Sequence, residues 1–191
     1  MPPELFETKK EEFLKELSPS NKEELERNTV GQINNNLWAI ERRKRLTASN
    51  FGQICKLRPK TSVARVLNSL LYLPFKGNTA TNYGKENENQ AIEQFTKETK
   101  LEVFACGLFV DENKNFLAAS PDGLIGKDSI IEVKCPYSIA NMSPEEGIEQ
   151  KKIDYCKIED NALTLKRNHN YFYQVQGQLH ITRCKYCYFV V

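Results

Sequence analysis

The sequence has no apolar run near the roughly 20 residues that span a bilayer; its longest, such as Tyr186 to Val191, stop far short. The N-terminus Met1-Pro2-Pro3-Glu4 lacks the basic-then-apolar pattern of a secretory signal. No internal repeat or low-complexity linker interrupts the 191 residues. There is no disulfide framework either: the six Cys, at 55, 106, 135, 156, 184 and 187, sit mostly among apolar neighbours, as small core residues would. These absences predict a soluble, intracellular protein in a reducing compartment, without a membrane partner. Cys184-x-x-Cys187, with His180 before it, invites a zinc reading, but a structural site needs four ligands and only one such pair exists. His169 fits a loop better than a catalyst.

Excess charge of either sign is also missing: 27 Lys+Arg against 25 Asp+Glu leave a net charge of +2. That balance conceals an asymmetry. Residues 1–37 carry a net −3 and residues 66–191 a net −2, whereas residues 38–65 hold eight basic residues and a single acid, a net +7. A basic block in an otherwise neutral chain is a footprint for an anionic partner, nucleic acid first, although a solvated helix face gives the same pattern.

A chain this long buries roughly 70% of its unfolded surface, enough for a sizeable core. Apolar spacing predicts helices over Glu4–Leu17, from a Ser20/Glu23 capping box toward Trp38, around Leu46–Lys56 with Thr47 or Ser49 as cap, over Ser62–Leu73 and over Asn82–Lys100. Leu101–Val110, Asn115–Ala119 and Ser129–Cys135 then read as short strands. Pro144–Cys156 reads as a helix, His169–Thr182 as helix or strand, and Tyr186–Val191 as a strand. The order implies a mixed α/β domain with a central sheet flanked by helices, after an N-terminal helical region.

The chemistry concentrates where Ser120-Pro121-Asp122-Gly123-Leu124 is followed by Glu132-Val133-Lys134. In a strand, Glu132 and Lys134 share one face while Ile131, Val133 and Cys135 take the other. The Pro-Asp-Gly turn places Asp122 at the end of a neighbouring strand, and two converging carboxylates suit a hard divalent cation such as Mg²⁺. Lys134 beside that ion is expected to have its pKa pushed down and to hold or deprotonate a water. Glu88 lies on the stripe of Ala91, Ile92 and Phe95, so it is a candidate third acid. Gln174, if helical, shares a face with Tyr171 and Gln178 and presents an amide to a polar site.

Asp122 followed by Glu132-x-Lys134 resembles the PD-(D/E)xK nuclease signature. Five segments are similar, in order, to the lambda-exonuclease-like YqaJ viral recombinase group: Trp38-x-x-x-Arg42 through Leu46-Thr47-Ala48-Ser49, Gly84-Lys85-x-x-Glu88-Asn89, Ser120-Pro121-Asp122-Gly123-Leu124, Glu132-Val133-Lys134-Cys135-Pro136, and Tyr171-x-x-Gln174-Val175-Gln176. The resemblance covers roughly residues 28–191, leaving 1–27 as a helical extension. Relatives continue beyond the last strand, so the domain is expected to be truncated at its C-terminus.

The resemblance implies a restriction-endonuclease-like core and 5′-to-3′ exonuclease action on one strand of duplex DNA, dependent on Mg²⁺ with Mn²⁺ able to substitute. It implies that Glu88, Asp122, Glu132 and the Val133 carbonyl hold the metal. Lys134 would activate the water, with Gln174 in the active site and Tyr171 beside it. Arg42 and Ser49 would hold the 5′-terminal phosphate. Where relatives often have Arg-x-Gly, this chain has Arg42-Arg43-Lys44-Arg45, which adds Arg45 to the candidates. Duplex DNA ends are the implied partner, with a single-strand-annealing protein and a homotrimeric assembly also expected by resemblance. An endonuclease of the same superfamily, or an end-binding module without turnover, are the competing readings.

Overall fold

A computed structural model describes residues 2–71, 77–160 and 162–191. Helix α1 (Pro3–Glu16) starts with Pro at its first turn and buries none of its own residues; Leu17, just beyond it, is fully enclosed. Helix α2 (Lys22–Asn28) is capped by Asn21, whose side chain accepts from the Glu24 N–H, and not by Ser20. The single helix expected to run on to Trp38 is broken. Gly31 has φ +92°, a left-handed conformation that ends the run, and a new helix, α3 (Asn36–Arg43), starts where the Asn35 side chain accepts from Trp38 N–H.

Strand β1 (Leu46–Thr47) leads through a 3₁₀ turn (Ala48–Asn50) into α4 (Phe51–Cys55), so the expected helix starts late and neither hydroxyl caps it. The Thr47 and Ser49 hydroxyls bond each other instead, 3.0 Å apart. Helix α5 (Val63–Leu71) follows; the expected end at Leu73 and its stop at Pro74 lie outside the described residues. Helix α6 (Thr79–Thr99) starts earlier than its apolar stripe because Asn78 and Thr81 cap each other reciprocally, and it ends at Lys100 in left-handed geometry.

The strands are β2 (Val103–Phe104), β3 (Phe109–Val110), β4 (Leu117–Ala119), β5 (Gly123–Ile125) and β6 (Ser129–Val133). Helix α7 (Pro144–Glu149) is shorter than its pattern, with Lys151 at φ +56° turning the chain away. A hairpin of β7 (Cys156–Glu159) and β8 (Ala162–Leu165), not anticipated, occupies the rest. Helix α8 (Asn170–Thr182) and strand β9 (Tyr186–Val190) complete the fold.

The strands are distributed over two mixed sheets and the hairpin, in orders β1-β4-β3 and β2-β5-β6-β9. The division falls at Pro121, which has no N–H with which to continue the ladder from β4 into β5. Strand β6 lies inside its sheet, antiparallel to β5 and parallel to β9. One face, Ile131 and Val133 with Ile125, packs on Ala91, Ile92 and Phe95 of α6; burying each large aliphatic side chain contributes roughly 1.5–3 kcal/mol. The opposite face turns Glu132 toward α8.

Helix α8 is seated against residues 48–55 through two glycines. A Cβ on Gly177 would come within 2.4 Å of the Phe51 ring, and one on Gly52 within 2.7 Å of Asn170 Cα. Helix α2 grips the strand region as well: Glu26 accepts from Gly107 N–H (2.7 Å) and the Thr29 hydroxyl from Leu108 N–H (2.8 Å). No helix among the described residues is long and apolar enough to cross a membrane.

Candidate active site

The β5–β6 register sets Gly123 opposite Ile131, which puts Asp122 beside the strand position of Glu132. The Asp122 N–H donates to the Ile131 carbonyl (3.1 Å), and Asp122 Oδ2 accepts from the Val133 N–H (2.7 Å). The turn aspartate is thus clamped to the strand by both its backbone and its side chain. Alternation sends Glu132 and Lys134 to the same face, where Glu132 is 2% exposed.

Three groups converge on the Glu132 carboxylate. Its Oε1 accepts from Lys134 Nζ and from Gln174 Nε2 (2.5 Å), and its Oε2 from Gln178 Nε2 (2.6 Å). Gln174 and Gln178 are one helical turn apart on α8, so one face delivers both amides. The Tyr171 ring centre lies 4.8 Å from Lys134 Nζ, placing an aromatic face under the ammonium.

The electrostatics are those of crowded acids. Burial, then the charges of Glu132 and Glu88, push Asp122 well above the usual carboxylate range. Burial and the Glu132 charge likewise raise Glu88, on α6. Lys134 departs from expectation. Burial alone lowers its pKa, but Glu132 and Asp122 outweigh that and hold it above its ordinary value, so without a cation it is a firm ammonium.

Glu88, Asp122 and Glu132 offer only oxygen donors, a chemistry that suits a hard divalent cation, whose charge would relieve the repulsion among them. Among the described residues no three His, Cys, Asp or Glu side chains stand close enough to hold an ion as arranged, with Glu132 tied by Lys134 and the two amides. The donor chemistry fits a cation, but the arrangement does not yet: an ion would have to draw the acids together and displace Lys134 and Gln174 from Glu132 Oε1.

Next to the acids is a basic cluster. Arg42 donates to Ser49 Oγ (3.0 Å), and its guanidinium carbon lies 4.7 Å from the centre of the Trp38 ring. Glu132 is close enough to Arg42 for its charge to oppose the lowering that burial causes. Trp38 Nε1 donates to Ser120 Oγ (2.8 Å), and Gln32 Nε2 to the Pro121 carbonyl (2.8 Å), so α3 and the turn before it are bonded to the Asp122 loop. Sequence reasoning gave Trp38 and Gln32 no site role; only the four-residue step from Trp38 to Arg42 signalled the stack.

Arg45 is corrected. Its guanidinium is buried and pointed inward, donating to the Leu17 carbonyl (2.6 Å), the Asn115 carbonyl (2.9 Å), and the Glu41 carbonyl and carboxylate. Each of its three nitrogens is already bonded to an acceptor inside the protein. The cysteines are free thiols. Burial pushes the Cys106 and Cys187 thiols up to about 12. His169 caps α8, its Nδ1 accepting from the Tyr171 N–H (3.1 Å).

Residues 37–185 match the YqaJ-like viral recombinase domain. The crystal structure of LHK-Exo in complex with dAMP is similar with a TM-score of 0.60 and 25% identity, covering 80% of this chain and 71% of that one. A crystal structure of the same alkaline exonuclease, from Laribacter hongkongensis, gives 0.57 and 27% over the same shares. Uncharacterized protein R354 of Acanthamoeba polyphaga mimivirus is 27% identical over 168 residues, 80% of this chain and 28% of that protein. The chain thus spans little more than a quarter of that relative's length. The fold is the restriction-endonuclease-like fold of the alkaline exonuclease. Since the domain match extends from the helix of Arg42 past α8, taking in every acid and amide around Glu132, the chain belongs to the YqaJ-like viral recombinase family.

Proposed function

We propose that this domain is a divalent-cation-dependent deoxyribonuclease that hydrolyses phosphodiester bonds at duplex DNA ends, one strand at a time in the 5′-to-3′ direction. The observation that carries this reading is the pairing of Asp122 with the Glu132/Lys134 face of β6, enclosed by amides of α8. The exonuclease name of the similar LHK-Exo structures supports it.

Glu88, Asp122, Glu132 and the Val133 carbonyl would hold the ion, Mg²⁺ with Mn²⁺ as substitute. When bound, the cation supplies positive charge to the scissile phosphate and acidifies water. Lys134 donates to the attacking water or to a phosphate oxygen, and its ammonium also donates to Glu132. Gln174 orients Glu132 at the mouth of the site, and the Tyr171 ring confines the Lys134 ammonium. Arg42 and Ser49 receive the 5′-terminal phosphate, the planar guanidinium bonding two of its oxygens. That assignment gives the basic segment 38–65 a role and ties strand polarity to the Trp38–Ser120 bond.

Digestion of end-labelled duplexes in Mg²⁺ tests the reading, comparing 5′-phosphate, 5′-hydroxyl and closed circular substrates. Rapid loss of the 5′-phosphorylated linear duplex with the circle intact is expected. Cutting of the circle makes the protein an endonuclease, and retention of ends without product makes it an end-binding module.

A further inference from the structure

Gln178 is 1% exposed, deep on the inner face of α8, and it reaches neither the open side of the site nor any surface. Its Nε2 donates to Glu132 Oε2 (2.6 Å), while its own Oε1, also buried, has no hydrogen-bond partner. A Leu or Met would fill this space without the orphaned Oε1 but would strip Glu132 Oε2 of its donor, so the use of the amide lies in that carboxylate. What the amide does is grip the carboxylate. Lys134 and Gln174 both bond Oε1, so those contacts leave the carboxylate plane able to swing about that oxygen. Gln178 holds the other oxygen and removes that freedom.

We propose that Gln178 is a positioning residue: by pinning Glu132 Oε2 it fixes the carboxylate plane so that Oε1 stays directed at the incoming cation, and it thereby sets the divalent-cation affinity of the site. The inference rests on the nuclease reading above, and it concerns cation binding, which is measured without substrate. The hydrogen bond of the Gln178 amide goes to Glu132 and that of Arg42 to Ser49, so the two grips are separate and the affinity for DNA ends is expected to change little.

The test is calorimetric titration of the full chain with MnCl₂, comparing wild type with Gln178→Met, which fills the space, and Gln178→Asn, whose amide is one methylene too short to reach Glu132. Both variants are expected to bind Mn²⁺ about tenfold more weakly, equivalent to ~1.4 kcal/mol. Both variants leave the buried Glu132 Oε2 without its donor and should melt below wild type in chelator, so the titrations are run well below the melting temperature of each folded variant. In turnover assays the Mn²⁺ requirement should rise tenfold, with KM for a 5′-phosphorylated duplex within twofold. As a readout on the unaltered protein, the Gln178 side-chain amide signals of ¹⁵N-glutamine-labelled wild type should shift on adding Mg²⁺. Equal Mn²⁺ affinity in the folded variants, or amide signals that ignore Mg²⁺ while the wild type binds it, overturns the proposal alone. A wild type that binds neither ion overturns the metal-site reading and this inference together.

Discussion

Asp122 Oδ2 accepts the Val133 N–H at 2.7 Å, so the carboxylate that burial and two neighbouring acids most strongly destabilise is also bonded to the backbone of the strand bearing Glu132. Asp122 is therefore held in a place where its charge is unwelcome until a cation arrives.

A stability test follows from the sign of that shift. A carboxyl raised in the folded state stabilises fully below its unfolded pKa of about 4, and the contribution is lost as pH climbs through the raised folded value. Asp122→Asn keeps an acceptor for Val133 and removes the charge. In chelator, thermal melts should show Asp122→Asn more stable than wild type at neutral pH, by roughly 2–4 °C for each kcal/mol relieved. The gap should close toward pH 4, and Mg²⁺-dependent digestion should be abolished. A variant that melts below wild type at neutral pH contradicts the crowding argument.

Two neighbouring arginines should separate cleanly. Arg45→Ala strips a buried donor from Glu41 and from the Leu17 and Asn115 carbonyls. Urea denaturation should show a loss of about 3–5 kcal/mol, as for other broken buried pairs. Arg42→Ala should change stability by about 1 kcal/mol or less, yet erase the preference for 5′-phosphorylated over 5′-hydroxyl ends.

The α8 seat makes a steric prediction. Gly177→Ala drives a methyl into the Phe51 ring at 2.4 Å, with Ala48 Cβ at 3.2 Å. Such overpacking costs about 1–3 kcal/mol. Adding Phe51→Leu should recover part of the loss, a coupling that a double-mutant cycle reads directly.

The ring of Tyr171, not its hydroxyl, faces Lys134. Tyr171→Phe should therefore retain kcat within about twofold, whereas Tyr171→Leu should lower it about tenfold, close to the 1–2 kcal/mol of a desolvated cation–π contact. Equal losses in the two variants would assign the effect to the hydroxyl.

The legibility of this chain depended on how local each determinant is. Glu132 and Lys134 could be placed on one face because strand alternation needs only neighbours, and Ile131 and Val133 do pack on the α6 residues that carry Glu88's stripe. Arg45 could not be read, because what buries it are the carbonyls of Leu17 and Asn115, remote in sequence. Glycine conformation was equally hidden: Gly31 splits a continuous helical pattern only because its φ is positive. The β7–β8 hairpin escaped because three of four residues in β7 are exposed, leaving no alternation to detect. Gln174 and Gln178 were seen to share a helix face, but that both amides converge on a single carboxylate depends on how closely Gly52 and Gly177 let α8 approach its neighbours.

The parallel ladder between β6 and β9, running from Ser129–Tyr186 to Val133–Val190, also constrains the order of events during synthesis. Until β9 has left the ribosome, the strand carrying Glu132 has an unpaired edge, and its final partner must close a loop that includes α7, the hairpin and α8. Residues 48–55 of the basic segment likewise wait for α8 to pack on them, so the strand carrying Glu132 and the segment carrying Ser49 are both completed only by elements made more than a hundred residues after the basic segment.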